Sequence, residues 1–202
     1  MASIERVIVT VYLPRSRRER AAKGRPEKIP QQEWDSQNWK LGFVKLEGYL
    51  DECEGTRWLA NPAHAKLVAD SLRFFAGERY DLISYVILPS HFQWLFRPLP
   101  EWVATLPTTP RVRSPRERIM NSARRFSALR CNRLLNRTGE YWQHESYDHW
   151  VRDLDEWERI IHYIENNPVK AGLVQDPSDW VFSSAYVRKQ PGLEFGSPIP
   201  KS

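Results

Sequence analysis

The sequence predicts an α+β fold, with an antiparallel sheet and helices packed on one side of it. Two strand-like segments, 80–88 and 92–97, are joined at Pro89-Ser90. A connection this short joins antiparallel strands, because a parallel crossover needs a dozen or more residues. Long segments with helical spacing surround this pair of strands, and the number of strands is small. That combination favours helices covering an antiparallel sheet.

The first part of the chain contains a strand, a loop and two helical segments. β-branched residues alternate within 4–13, which predicts a strand. Residues 15–30 are basic, polar and bounded by proline, which predicts a loop. The second half of 31–55 has leucines and a valine near helical spacing, which predicts a helix there. The next helix is predicted to begin at Asn61-Pro62, because Asn is a good cap and Pro is preferred at the first helical position. Gly77 is a suitable stop signal.

The second part of the chain is expected to contain two further helices. Residues 98–114 are rich in proline and predict a loop, whereas 115–136 predict a long helix rich in arginine. Asp153 and Glu156 have the spacing of a capping box and predict a helix start. That helix is expected to end near Asn167, because Pro168 disfavours the helical state in the residue before it. We expect residues 1–187 to form one domain and 188–202 to be a flexible tail.

Composition indicates a soluble, cytoplasmic protein. The chain has 202 residues, of which 41% are hydrophobic and 27% charged, as in ordinary globular domains. No apolar run approaches the roughly 20 residues that span a membrane, and the N-terminal segment lacks the layout of a signal peptide. Two cysteines provide neither a disulfide framework nor the spacing of a zinc finger, which fits a reducing compartment.

The charge distribution points to a polyanionic partner. The formal net charge is +5, and the arginines are concentrated in one early segment and in the long helix. Clusters of this kind attract nucleic acid, although a solvated basic surface is the alternative interpretation. The chain also has nine tryptophans. Most are expected in the core, but rings near the candidate site can stack on unpaired bases, with Trp94, Trp142 and Trp150 as the candidates.

Four side chains suggest a metal-assisted site. His91 and Gln93 are two apart on a predicted strand, so they point to the same side of it. Tyr163 and Asn167 are four apart on a predicted helix, so they share a face. An imidazole and two amide oxygens can bind a divalent cation, and a phenolate can attack a phosphodiester. Each residue also has an ordinary structural interpretation, and the residues alone do not connect the strand to the helix.

These segments resemble a known family, the REP-associated tyrosine transposases, which are single-tyrosine HUH nucleases. Val86-Ile-Leu-Pro-Ser-His-Phe-Gln93 is similar to the family pattern V-M-P-N-H-V-H. Tyr163-Ile-Glu-Asn-Asn-Pro-Val-Lys-Ala-Gly-Leu-Val174 is a close match to Y-I-x-x-N-P-V-K-A-G-L-V. Trp142-Gln-His-Glu-Ser-Tyr-Asp-His149 is similar to a third segment, W-Q-x-x-Y-x-D-H. The resemblance extends over most of the chain, from about residue 4 to residue 187.

The resemblance implies a ferredoxin-like fold, a DNA partner and covalent chemistry. The expected activity is cleavage and rejoining of single-stranded or hairpin DNA, in which Tyr163 forms a 5′-phosphotyrosine and releases a 3′-hydroxyl. By motif position, the metal ligands would be His91, Gln93 and Asn167, and the cofactor would be Mg²⁺ or Mn²⁺. The resemblance leaves open whether this chain is a monomer or a homodimer, because some relatives exchange the tyrosine helix between subunits. The side chains expected to contact nucleic acid are Arg124, Arg125, Lys170, Arg15, Arg17 and Arg18.

Gln93 departs from the family pattern, which has a second histidine at this position. An amide oxygen is an acceptable ligand for Mg²⁺ or Mn²⁺, but it lacks the stronger imidazole donor. Three functions therefore stay open. The first is a metal-dependent tyrosine transposase, the second is a DNA-binding module that has lost cleavage, and the third is an RNA-binding protein on the same scaffold.

Overall fold

The computed structural model describes residues 7–12, 56–107, 113–143, 146–151 and 154–190, with the backbone alone for 7–12 and 146–150. The predicted loop at 15–30 and the helical segment within 31–55 lie outside the described residues. So do Arg15, Arg17, Arg18 and Asp153, and the side chain of Trp150.

A four-stranded antiparallel sheet organises the described residues. Its strands are β1 (Val7–Tyr12), β2 (Tyr80–Ile87), β3 (His91–Pro98) and β4 (Ser146–Trp150). Their order across the sheet is β2-β3-β1-β4, and every pair of neighbours is antiparallel. The helices are α1 (Pro62–Arg73), α2 (Pro100–Ala104), α3 (Pro115–Leu134), α4 (Leu154–Lys170) and α5 (Ser184–Lys189). Short 3₁₀ turns lie at Trp58–Ala60 and Pro177–Asp179.

The connectivity is that of a ferredoxin-like fold. Among the described elements, α1 lies between β1 and the β2–β3 hairpin, and α2 and α3 lie between that hairpin and β4. A β-α-β-β-α-β chain with the first strand between the third and the fourth is the ferredoxin-like arrangement. The predicted fold class, an α+β sheet of this type, is therefore confirmed.

Local sequence signals determine where the first helices begin. The Asn61 side chain accepts a hydrogen bond from the Ala63 N–H at 3.0 Å, so α1 begins where Asn61-Pro62 predicted it. Ser114 and Glu117 form a reciprocal capping box at the start of α3. Each cap satisfies backbone N–H groups that would otherwise lack an intrahelical acceptor.

Helices cover both faces of the sheet, so the expectation of helices on one side was wrong. Phe92, Trp94 and Phe96 of β3 point into a larger core that includes residues of α1 and α3. Leu95 points the other way, into a smaller core with Ile160 and Ile164 of α4. The strand is buried along nearly its whole length, because both of its faces are covered.

Two boundaries differ from the predictions. The proline-rich segment 98–114 contains α2, which begins with a proline at its first turn. Helix α4 continues through Pro168 to Lys170 instead of ending near Asn167. Asn167 and Pro168 are both buried, so tertiary packing outweighs the local preference of the residue before a proline. No helix in the described part of the chain is both long and apolar enough to cross a membrane.

Candidate active site

The alternation of β3 places His91 and Gln93 on the face of the sheet that α4 covers. Leu95, two residues further along, packs in the smaller core against α4 residues. Because strand residues two apart share a face, His91 and Gln93 point to the same side. Both are almost completely inaccessible, with 3% of His91 and 1% of Gln93 exposed.

A direct contact joins this strand to helix α4. The Asn167 Nδ2 group donates a hydrogen bond to Gln93 Oε1 at 2.5 Å, and Asn167 is 3% exposed. Tyr163 lies one helical turn before Asn167 on the same helix. The structure therefore brings together the two segments that the residues alone did not connect.

Tyr163 lies at the edge of the smaller core. Its ring packs against that cluster of apolar side chains and is half-buried, and its hydroxyl oxygen is shielded from solvent. The Lys170 ammonium lies over the ring, with Nζ 4.0 Å from the ring centroid. This is a cation–π contact, and it keeps a positive charge beside the phenol. Lys170, which the sequence predicted to contact nucleic acid, therefore lies beside Tyr163.

Burial keeps the His91 imidazole neutral at ordinary pH. The pKa of His91 is lowered to about 4, because the buried site disfavours the charged form. Its Nδ1 atom is 3.1 Å from the Ser90 hydroxyl oxygen. A neutral imidazole retains a lone pair on one ring nitrogen, so His91 has the protonation state that a metal ligand requires.

The donor types of this cluster fit a hard divalent cation. The contact between the amides uses one lone pair of Gln93 Oε1 and leaves Asn167 Oδ1 outside that bond. His91, Gln93 and Asn167 offer one imidazole nitrogen and two amide oxygens, which are donor types that Mg²⁺ and Mn²⁺ accept. Among the described residues, no group of three or more His, Cys, Asp or Glu side chains gathers in one place. A metal site built from these three side chains would be weak, because none of the three is a carboxylate that balances the charge of the cation.

The arginines of α3 are divided between different environments. Helix α3 packs on the sheet face opposite the Gln93–Asn167 contact. Arg125 is exposed there, whereas half-buried Arg124 donates a hydrogen bond to the Gln143 carbonyl. Neither belongs to the surface that carries Tyr163.

The prediction that tryptophans near the site stack on bases was wrong for Trp94 and Trp142. They are 0% and 5% exposed and lie in the larger core.

A polar network that the sequence did not predict fixes α4 to the rest of the fold. The Glu165 carboxylate pairs with Arg188 and accepts a hydrogen bond from the Ser184 hydroxyl. Ser184 Oγ also lies 3.0 Å from the Ser84 hydroxyl of β2 and accepts a hydrogen bond from the Tyr85 N–H at 3.2 Å. The signal in the sequence is the pair Ser183-Ser184, in which Ser183 caps the start of α5.

Comparisons with known proteins agree with the sequence motifs. No protein-family model matches the chain. A curated protein from Haemophilus influenzae, named "Putative REP-associated tyrosine transposase", is 31% identical over 112 residues. That alignment covers 52% of this chain and 58% of the relative, so the chain spans little more than half of the relative's length.

A solved structure of a REP-associated tyrosine transposase bound to a REP hairpin aligns with a TM-score of 0.47 and 17% identity. The alignment covers 95% of this chain and 82% of that protein. The resemblance predicted from the motifs around His91 and Tyr163 is confirmed by the curated relative: this chain is similar in sequence to the REP-associated tyrosine transposases.

Proposed function

We propose that the chain is a tyrosine transposase, an endonuclease that cleaves and rejoins single-stranded or hairpin DNA through Tyr163. The observation that carries the proposal is the hydrogen bond between Asn167 and Gln93. It joins the two segments whose sequences resemble the family, and Tyr163 lies one turn from it. The similarity to the curated relative supports the same function.

In the proposed reaction, the Tyr163 oxygen attacks the phosphorus of a phosphodiester. A bond forms between the phenolic oxygen and phosphorus, and the bond between phosphorus and the 3′-oxygen breaks. The phenol loses its proton, and the departing 3′-oxygen gains one to become a free hydroxyl. The reverse attack by a 3′-hydroxyl rejoins the strand without ATP, because the phosphotyrosine retains the energy of the phosphodiester bond.

The residues around Tyr163 have separate tasks in this scheme. His91, Gln93 and Asn167 would hold Mg²⁺ or Mn²⁺, which when bound supplies positive charge that stabilises the additional negative charge on the phosphate. Lys170 holds its ammonium against the Tyr163 ring, so it favours the approach of a phosphate to this end of α4. The buried Tyr163 hydroxyl must turn towards the substrate before it reacts.

Formation of a covalent adduct tests the proposal directly. The protein is incubated with Mg²⁺ or Mn²⁺ and a labelled pool of single-stranded hairpins with randomised flanks, and the products are separated under denaturing conditions. We expect a labelled protein band that Tyr163→Phe abolishes. Tyr186→Phe, on α5, is the matched control and is expected to retain the adduct. Retention of the band in Tyr163→Phe would contradict the assigned nucleophile.

A second candidate function is nucleic-acid binding without cleavage. It is favoured by the same contact that supports catalysis, because Gln93 already accepts a hydrogen bond and the Tyr163 hydroxyl is shielded from solvent. Hairpin binding with no adduct under either metal would favour this function. Tighter binding of an RNA oligomer than of the DNA with the same sequence would point to an RNA partner.

A further inference from the structure

A groove runs between α2 and the outer side of α3, with a volume of about 630 Å³. A volume of this size is within the range of ligand-binding clefts, roughly 300–1,000 Å³. We call it the α2–α3 groove. The charged and aromatic residues that line it are Arg79, Trp102, Arg113, Arg118, Arg125 and Phe126.

The charge of the α2–α3 groove has one sign. Four arginines line it, and none of the described lining residues is acidic. Arg118 and Arg125 are seven residues apart on α3, which places them about 10 Å apart along the helix axis. Within the described part of the chain, none of the four arginines forms an ion pair with a carboxylate. Arg113 interacts electrostatically with the nearby Glu117 carboxylate, but the guanidinium groups are not ion-paired among the described residues and therefore attract phosphates.

Apolar and aromatic surface lies between these charges. Phe126 is 37% exposed and Leu129 is 54% exposed, although both are large hydrophobic side chains. Trp102 is half-buried on the α2 side, and the Arg79 guanidinium lies 3.3 Å from the centroid of the Phe75 ring. Aromatic faces alternating with arginines are the arrangement that binds unpaired bases together with their backbone.

The α2–α3 groove lies on the side of the sheet opposite the candidate active site. Helix α3 packs on the larger core, into which Phe92 and Trp94 point. His91 and Gln93 alternate with those residues and therefore point away from α3. A nucleic acid in the groove cannot be the same segment that reaches Tyr163.

We propose that the α2–α3 groove is a second binding site for single-stranded nucleic acid, separate from the Tyr163 site. Arg118 and Arg125 contact phosphates, and Phe126 offers a ring on which one base stacks. The occupant is nucleic acid rather than an acidic peptide, because planar guanidinium groups and an exposed aromatic ring together match both the phosphate and the base of a nucleotide. This assignment extends the proposed function, since it concerns where DNA is held and not how it is cut.

The test is the binding of a fluorescent single-stranded DNA oligomer, measured by anisotropy at several salt concentrations. Arg118→Ala and Arg125→Ala are each expected to weaken binding and to lower the salt slope by about 0.7, the contribution of one phosphate contact on a single strand. Phe126→Leu retains apolar volume against Phe74 but loses the stacking face, and we expect roughly tenfold weaker binding. Arg133→Ala removes an exposed arginine of α3 that does not line the groove, so it is the matched control.

The outcomes separate this inference from the proposed function. Wild-type-like affinity and salt slope in both arginine variants would overturn the groove assignment and leave the Tyr163 reaction standing. Groove-dependent binding without any adduct would support the groove and count against cleavage. Absence of oligomer binding by the native chain would overturn the groove assignment, whereas the adduct assay with hairpins decides the proposed function. The two arginine variants can also be tested with a fluorescent peptide rich in Glu and Phe. If they bind DNA as the native chain does but bind this peptide more weakly, the groove assignment is overturned in favour of a protein ligand.

Discussion

Gln93 of β3 and Asn167 of α4 are separated by 74 residues in the chain, and their side-chain amides are hydrogen-bonded in the buried space between sheet and helix. The contact aligns α4 along the sheet, so that Tyr163 and the hairpin motif lie at the same part of the fold. It also satisfies polar groups that would otherwise be buried at a cost in free energy. The pair therefore has a structural role whether or not a metal binds.

Replacement of Asn167 by alanine is expected to reduce cleavage more than DNA binding. The change removes one proposed metal ligand and leaves Gln93 Oε1 without its Asn167 donor, which costs about 1–3 kcal/mol of unfolding free energy. Denaturant unfolding, anisotropy and adduct yield measure the three effects separately. Asn166→Ala is the control, because Asn166 is the half-buried neighbour on the same helix. Equal losses of binding and cleavage in Asn167→Ala would remove its role as a ligand.

Replacement of Gln93 by histidine is expected to tighten Mn²⁺ binding. The change adds a second imidazole beside His91 and restores the two-histidine pattern of the family at this position. Calorimetric titration with Mn²⁺ measures the affinity, and circular dichroism checks that the sheet is retained. Gln93→Leu provides the opposite comparison, since it keeps a side chain of similar size without a donor. An unchanged Mn²⁺ affinity in Gln93→His would place the metal, if any binds, away from this residue.

The sequence predicted the strand pairing and the shared face of His91 and Gln93, because both depend on local rules. The short Pro89-Ser90 turn requires antiparallel strands, and a spacing of two residues places side chains on one side. Asn61-Pro62 likewise specified the start of α1. These features need no information about distant parts of the chain.

The features that sequence reasoning missed depend on tertiary packing. The continuation of α4 through Pro168 follows from the burial of that turn against the sheet. Trp94 was expected near a ligand, but the helices that pack over its face of β3 bury it in the larger core. The Glu165 network also could not be foreseen, because its partners come from β2 and α5, which are far away in the chain.

Loss of the Glu165 carboxylate is expected to loosen α5 from α4. Glu165→Gln removes the charged partner of Arg188 and weakens the hydrogen bond from Ser184. We expect a lower Tm and faster amide hydrogen exchange within residues 180–189. Arg188 is partly exposed and solvent screens the pair, so the loss should be modest. Glu158→Gln, at an exposed position of α4, should leave both quantities unchanged. Unchanged exchange in Glu165→Gln would show that contacts other than those of the Glu165 carboxylate hold α5.

Strong alkali is expected to destabilise the fold in part through Tyr85. Burial raises the pKa of Tyr85 to about 12, whereas an unfolded tyrosine ionises near pH 10. Because the folded pKa is the higher one, this contribution to stability is fully present below about pH 10 and is lost as the pH rises towards 12. At pH 11 the loss is about 1 kcal/mol of unfolding free energy. Urea unfolding at pH 8 and pH 11 should therefore show a smaller decrease for Tyr85→Phe than for the native chain. Phe92→Leu alters the same core without a titrating group, so it should lower stability equally at both pH values; an identical decrease in Tyr85→Phe and the native chain would contradict the prediction.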